Sequence, residues 1–447
     1  VYRGLSDQAK EYFLYLESIL HQRDNFKKPE ALDRIRVLDC AERQANGLWC
    51  SSMLAELGAE TIKVERPSGD PLRKATPFGR TEYMVRDNVT GEPVGLHFLH
   101  EMRNKLSVTL DLEKAEGREL LCRLAAQADI LIENAPPGRF DAWGIGYRQL
   151  REVNPRLIYC WIGQLGQWGP LKDQPGMLDP VAQCASGFVH GTGMPASFGG
   201  RPTRSGMWVC DHVAGTAAAI GILGALHYRE RVSGRGQFIE ATGAEALIRI
   251  LDYNWAWYGM NGSIRPRYGN WDLAINIYAV NPCKDGYMMV GGGHDRLWYR
   301  IWKTVGKDRP EIEGHIVQDP RLKDVVNRLP HNAQVETYTA LCEWMKDQTR
   351  AECEAKLQAE EVASGGVYYP DEVAEFPHFK YRGHVGTLQD RYYGELLYAT
   401  SAFLQEKTPG RVKWLGRPLG IDNEEVYKRL LGLGRSDLER LAKRGVI

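Results

Sequence analysis

The sequence predicts a large doubly wound α/β domain joined to a smaller α+β domain. Short apolar runs of strand length alternate with helical stretches from Ile35 to Ala241, which is the pattern of a parallel sheet covered by helices. After Leu247 the character changes: aromatic residues crowd together, and Asp285-Gly286 marks a hairpin between two apolar runs. A chain of 447 residues also exceeds what one simple core accommodates. The boundaries read as an N-terminal arm over 1–32, the large domain over 33–250, the small domain over 251–375, and a segment over 376–447 that returns to the large domain.

In order, the arm contains a helical stretch, Asp7 to Gln22, broken at Asp24-Asn25-Phe26-Lys27-Lys28-Pro29. Ile35–Asp39 is a buried strand, Gly47–Leu57 a helix closed by Gly58, and Thr61–Glu65 the next strand, together one βαβ unit. The turn between them, Ala41-Glu42-Arg43-Gln44-Ala45-Asn46-Gly47, lacks GxGxxG, which argues against a dinucleotide site despite the Rossmann-like rhythm. Strands follow over Asn104–Asp111, Asp129–Asn134 and Arg156–Trp161, with a helix over Lys114–Ala126. A long Gly/Pro-rich segment runs from Gly163 to Gln183, and loops of that length in a compact domain are usually functional. The Gly/Ala-rich helix Ala214–Tyr228 leads through a basic turn to the strand Gln237–Ala241. In the small domain, strands flank Asp285-Gly286, and helices follow over Arg296–Val305, Asn332–Gln348 and Ala351–Glu360. The tail holds strand-like Arg382–Leu388 and Arg411–Trp414, then charged helices, the last opening at Ser436 with Asp437.

Composition excludes several classes of function. Lys and Arg together number 57, as do Asp and Glu, so no net field favours nucleic acid or an anionic membrane. The longest apolar run, Val213–Leu226, is shorter than a bilayer-spanning segment. No signal peptide is evident, and the chain opens at Val1 without a methionine. The nine cysteines form no CxxC pair and no zinc-ligand spacing, so we expect no metal, reduced thiols and a cytoplasmic location.

Five places are candidates for chemistry. Asp211, a lone carboxylate ahead of the Gly/Ala-rich helix, reads either as an N-cap or as a nucleophile, and its neighbour Cys210 is a weaker nucleophile candidate. Asp179, before Pro180, is a second carboxylate or a helix-start residue. Arg66 and Arg73 stand in a Gly/Pro loop at the carboxyl end of a strand, where such folds bind ligands and where arginines hold phosphates. Gly291-Gly292-Gly293 either frees backbone N–H groups for an oxyanion or substrate, or serves as a tight connector. Trp255, Trp257, Tyr258 and Trp271 read as core or as the wall of an aromatic acid pocket, with Arg265 or Arg267 pairing a carboxylate.

Taken together, several motifs resemble those of the class III coenzyme A transferases, a group that includes formyl-CoA, carnitine-CoA and arylsuccinate-CoA transferases and the alpha-methylacyl-CoA racemases. They are Val37-Leu38-Asp39 with Gln44-Ala45, Leu57 to Glu65, Asn104-Lys105 with Leu110-Asp111-Leu112, Ala128 to Asn134, and Gly221-Ile222-Leu223 through Gly234-Arg235-Gly236-Gln237. The resemblance implies a Rossmann-like large domain and two interlocked chains, either a homodimer or a heterodimer with a homologous chain. It implies acyl-CoA and carboxylic acid substrates and no permanently bound cofactor, with the coenzyme A thioester itself as substrate. It makes Asp211 the nucleophile, Gln44 a donor near the reacting carbonyl and Asp179 a second acid. It also makes Arg66, Arg73, Leu110, Asn134 and Lys105 contacts for CoA. The sequence departs from the family pattern at Ala142, Cys210 and Asn46. The expected reaction moves CoA from succinyl-CoA to a dicarboxylic acid such as an arylsuccinate, through aspartyl anhydride and aspartyl-CoA thioester intermediates. The alternatives are a half-active homologous subunit and a racemase. A racemase is disfavoured, because its histidine position is Gln167 here, and an amide is no general base.

Overall fold

The computed structural model describes residues 7–174 and 176–447. These form two units. The larger comprises Leu14–Phe188, Arg204–Ala256 and Pro377–Ile447; the smaller comprises the described residues up to Phe13, Val189–Thr203 and Trp257–Phe376. This division differs from the sequence boundaries chiefly in three places, one being that the small unit resumes at Trp257 and not at 251. Val189–Thr203 leaves the large unit and groups with the small one, and the arm groups with the large unit from Leu14 onward.

The large unit is built on six strands, β1 (Arg36–Asp39), β2 (Glu60–Glu65), β3 (Lys105–Thr109), β4 (Ile130–Glu133), β5 (Ile158–Gly163) and β6 (Phe238–Thr242). All neighbours run parallel, in the order β3-β2-β1-β4-β5-β6. Leu38 of β1 stands opposite Ile62 on one side and Leu131 on the other. Both faces of this sheet are buried, which is why β4 and β5 are almost continuously apolar and the cations of β2 and β3, Lys63 and Lys105, are buried with carboxylate partners. Val37, Ile130, Ile132, Ile158, Cys160 and Ile162 pack on one face with the helices Ala45–Glu56 and Val209–Tyr228. Leu38, Val64, Val108, Leu131, Tyr159 and Trp161 pack on the other, with Ala115–Ala125 and the returning helices Asn423–Leu431 and Arg435–Lys443.

Strand order reverses between β1 and β4. Their carboxyl ends therefore diverge and leave a crevice, the place where such sheets bind ligands. Two helices meet there because glycines allow it. A Cβ on Gly215 would lie 2.5 Å from the Asn46 carbonyl oxygen, and one on Gly47 would lie 2.2 Å from the Ala41 Cβ. Only residues without a side chain permit such an approach. Across the same contact the Trp49 indole N–H donates to the Thr216 hydroxyl at 3.0 Å.

Several elements differ from expectation. The Gly/Ala-rich helix starts at Val209, so Asp211 lies inside its first turn and is not its N-cap. Continued through Ser233 it spans 25 residues, long and apolar enough by composition to cross a bilayer, yet half of the tested window is buried within the protein. The apolar run Val213–Leu226 underestimated it because the helix extends through polar residues at both ends. Arg411–Trp414 forms no strand. It lies against Asn104, whose side chain donates to the Arg411 carbonyl at 2.7 Å and accepts from the Lys413 N–H at 2.6 Å, replacing a ladder with one amide. The last helix starts at Arg435; the Gly434 N–H donates to Asp437 at 3.2 Å, so the cap lies two residues before Ser436.

The small unit carries an antiparallel sheet of β7 (Tyr278–Cys283), β8 (Gly286–Gly291) and β9 (Ala363–Gly366), in the order β9-β8-β7. Trp298, Ile301, Trp302, Leu341 and Trp344 from its helices close over Ile277, Met288 and Val290. Trp271 packs at this core against Phe198, His331 and Tyr338, and Arg267 is spent on the carbonyls of His190, Met194 and Gly200. Trp255 and Tyr258 are exposed. Of the two readings of these aromatics, core or pocket wall, Trp271 takes the first, and Arg267 serves the internal packing of the unit.

Candidate active site

A cleft of about 690 Å³ opens at the carboxyl ends of β1 to β5. Its wall includes Glu42 and Gln44 after β1, Arg66 after β2, Leu110 after β3, Asn134 after β4, and Gln164 after β5. The cleft lies wholly within the large unit.

Asp211 stands directly behind this wall, 3 % exposed. One carboxylate oxygen, Oδ2, accepts the backbone N–H of Ala45 at 3.0 Å. The other, Oδ1, accepts the side-chain amide of Gln164 at 2.6 Å. Ala45 is the first residue of its helix, so the carboxylate sits at a helix N-terminus, where the dipole favours an anion. In dinucleotide-binding folds that position receives a phosphate; here it receives the Asp211 carboxylate. Burial pushes the Asp211 carboxyl up, to about 6, and nearby Asp179 adds to the rise, while the Ala45 N–H and the Gln164 amide oppose it. A carboxylate of raised basicity, shielded from water yet ionised at neutral pH, is a competent nucleophile.

Asp179 performs the capping that the sequence offered to Asp211. Its Oδ2 accepts the Asp211 N–H at 3.0 Å, and its Oδ1 accepts the Gln183 amide at 2.6 Å. Cys210 is fully buried, and burial raises its thiol to about 12, so it stays protonated and is no nucleophile. Gln167 gives its backbone N–H to Glu240 at 2.6 Å and offers no base.

The loop that carries Gln44 and Ala45 is held from beneath by buried charges. The Lys63 ammonium donates to the Ala41 carbonyl, Asp39 accepts the Ala41 N–H at 3.1 Å, and Asp70 accepts the Arg43 N–H at 3.1 Å. Asn134 accepts the Glu42 N–H at 2.8 Å and donates to the Glu42 carbonyl at 3.0 Å. Arg66 pairs with Glu42 at the cleft wall.

Two expected CoA contacts are corrected. Lys105 is fully buried, donating to the Leu48 carbonyl at 2.7 Å and to Asp39 at 3.3 Å. Arg73 is bidentate to Glu65, both contacts 2.6 Å. Buried cations need such partners, and neither reaches the cleft wall. Gly291 ends β8 and the Gly292 N–H is given to the Ile277 carbonyl at 2.6 Å, so these two form a strand end and not an open oxyanion loop. Gly293 lies in the connector that follows.

Gln164, at the start of the Gly/Pro-rich segment Gly163–Gln183, is not among the candidates that the sequence singles out. Its position directly after a parallel strand was the available signal, since ligands bind at such strand ends. The Ala45 N–H had no signal at all, because a backbone donor is aimed by the fold. Among the described residues, no group of His, Cys, Asp or Glu is arranged to hold a metal ion.

Six parallel strands in this order, with a cleft at their carboxyl ends and a buried carboxylate at a helix N-terminus behind it, define an α/β protein with a ligand site at its strand ends. Comparison with known proteins agrees and is more specific. The model of CoA-transferase family III matches residues 32–423, and the chain belongs to that family. It is 33 % identical over 425 residues to succinyl-CoA–D-citramalate CoA-transferase of Chloroflexus aurantiacus, covering 94 % of this chain and 99 % of that one. It is 32 % identical to both subunits of succinyl-CoA–L-malate CoA-transferase from that organism: the alpha subunit covers 93 % of this chain and 92 % of its own length, the beta subunit 92 % and 97 %. Among solved structures, a CaiB/BaiF family protein from Brucella suis superposes with a TM-score of 0.78 at 28 % identity, covering 90 % of this chain and all of that one. The protein is a CoA-transferase of class III, with coenzyme A thioesters as substrates.

Proposed function

We propose that this chain transfers CoA from succinyl-CoA to a dicarboxylic acid, with Asp211 as the covalent nucleophile. The observation that carries the reading is the Asp211 carboxylate, held behind the cleft wall by the Ala45 N–H and Gln164, beside Gln44. The donor is supported by the relatives, whose names state succinyl-CoA with citramalate or malate. The arylsuccinate is the aromatic member of the same acceptor class.

In this reading Asp211 attacks the thioester carbonyl, the C–S bond breaks, and CoA leaves as a thiolate. The resulting aspartyl–succinyl anhydride is attacked by that thiolate at the aspartyl carbonyl, which releases succinate and leaves an aspartyl-CoA thioester. The acceptor carboxylate attacks this thioester and expels the thiolate again. The thiolate then takes the acceptor's acyl carbon and frees Asp211. Each step trades one nucleophile for one leaving group, so no net proton is consumed. Gln44 donates to the carbonyl oxygen as charge develops on it. Arg66, Leu110 and Asn134 contact CoA at the strand ends, and Asp179 holds the turn that presents Asp211.

A second reading, an enzyme of two homologous chains, is favoured by the relatives that are alpha and beta subunits of one enzyme. In either case we propose the interlocked pair of chains that the family resemblance implies. The deciding experiment is mass spectrometry of the purified chain after incubation with succinyl-CoA and hydroxylamine, wild type against Asp211→Ala. A modification trapped at Asp211 and absent from the variant supports the mechanism in a single chain. No adduct, in a protein that still binds CoA, transfers the reaction to a partner chain.

A further inference from the structure

Gln164 makes contacts that no other cleft residue makes. Its side-chain nitrogen donates to Asp211 Oδ1 at 2.6 Å and to Gln44 Oε1 at 2.9 Å. It is 2 % exposed, and its backbone carbonyl is tied to the Ala244 N–H at 3.0 Å. Its own side-chain oxygen is buried and has no hydrogen-bond partner.

The amide orientations follow from chemistry. An ionised carboxylate only accepts, so the Gln164 atom facing Asp211 is its NH2 group. That same group meets Gln44, so the Gln44 atom facing it is the carbonyl oxygen. The Gln44 NH2 is thereby turned away from Gln164 and left available to a ligand in the cleft, whose wall Gln44 forms. One buried amide thus sets the direction of both groups that the proposed reaction uses.

The surroundings are shaped to seat this amide. A Cβ on Gly243 would lie 2.2 Å from Gln164 Oε1 and 3.0 Å from the Cys210 Cβ. The bare backbone at Gly243 makes the space in which the Gln164 carboxamide lies, and alanine there would push it off Asp211.

We propose that Gln164 is a positioning residue: it holds Asp211 in its attacking orientation and fixes which face of the Gln44 amide meets the reacting carbonyl. The proposal rests on Asp211 being the nucleophile. As Asp211 becomes acylated its negative charge is lost and the Gln164 bond weakens, so the clamp is tight on the free carboxylate and loose on the intermediates. The titratable groups facing Asp211 are Asp179, which accepts its N–H, and His212 and Cys210 on its own helix. The Gln164 donor works with the Ala45 N–H to keep the carboxylate ionised against Asp179 and burial.

The test compares wild type, Gln164→Met and Gly243→Ala by steady-state kinetics with succinyl-CoA across pH 5 to 9, alongside hydroxylamine trapping. Gln164→Met keeps the volume and removes the donor; Gly243→Ala leaves every hydrogen-bonding group in place and moves Gln164. We expect both to lower kcat roughly 10- to 100-fold at pH 7, through loss of the attacking orientation of Asp211 and of the Gln44 amide, with KM within about threefold. We also expect the acid limb of kcat/KM to move up by about one pH unit, since the carboxylate loses a donor. A structural defect lowers the amount of active enzyme at every pH and leaves the limb in place. Gln164→Met with a wild-type limb and wild-type kcat overturns the proposal, as does a loss of kcat without movement of the limb. If wild type itself traps nothing at Asp211, the nucleophile assignment fails, and that outcome is visible without the variants.

Discussion

Replacing Asp211 with asparagine should make the protein more stable and inactive, with a stability gain that depends on pH in a defined direction. The carboxyl is raised from 3.8 to about 6 in the folded chain, chiefly by burial. Between those values the folded state holds a proton that the unfolded state has released, so stability falls as pH rises through the window. Below about pH 4 both states are protonated and the cost vanishes; above about pH 6 to 7 it is complete. At roughly 1.4 kcal/mol per pH unit, the displacement corresponds to about 3 kcal/mol at pH 8. Asparagine carries no charge and escapes this cost. It can still accept the Ala45 N–H, and its NH2 gives the unpartnered oxygen of Gln164 a donor if that amide turns over. The assay is thermal melting of wild type and Asp211→Asn from pH 5 to pH 8, read as the difference between them. The variant should exceed wild type by roughly half as much near pH 5 as at pH 8, where it should melt roughly 4–6 °C higher. A difference that does not change with pH, or a variant less stable than wild type at pH 8, refutes the assignment of a strained buried carboxylate.

Three further outcomes follow from the same geometry. Gly215→Ala inserts a methyl group 2.5 Å from the Asn46 carbonyl and should cost about 1–3 kcal/mol while separating Asp211 from Ala45; melting temperature and hydroxylamine trapping should fall together. Lys105→Met leaves Asp39 with Lys63 alone and should cost about 3 kcal/mol, yet the folded fraction should keep its KM for the CoA thioester; a raised KM in a stable variant would return Lys105 to the ligand. Arg66→Ala should raise that KM about tenfold with kcat nearly unchanged, the value of one charge-assisted contact made equally in ground and transition states, measured by initial rates at saturating acceptor.

Much of this architecture was legible in the sequence because a parallel sheet leaves a local signature. Its strands are buried on both faces, so Ile130-Leu131-Ile132 and Ile158 to Ile162 had to be apolar throughout. The Gly/Ala-rich composition of the helix that holds Gly215 is likewise a local mark of close packing, although it does not name the partner. Asp211 stood out because an acid beside a long apolar helix is costly without a reason. What the sequence did not carry is the relation between residues far apart in the chain. Asp211 meets the Ala45 N–H across 166 positions and Gln164 across 47, and no local pattern records either distance. The same limit misdirected Lys105 and Arg73. A cation in a strand and one in a strand-end loop look alike whether they face a phosphate or a buried carboxylate, and only the packing of Asp39 and Glu65 against them decides. Local propensity and burial determined the elements and their order. The tertiary structure determined that Asp179 accepts the Asp211 N–H while the Asp211 carboxylate meets Ala45, because which backbone N–H each oxygen meets is set only once the helices have closed.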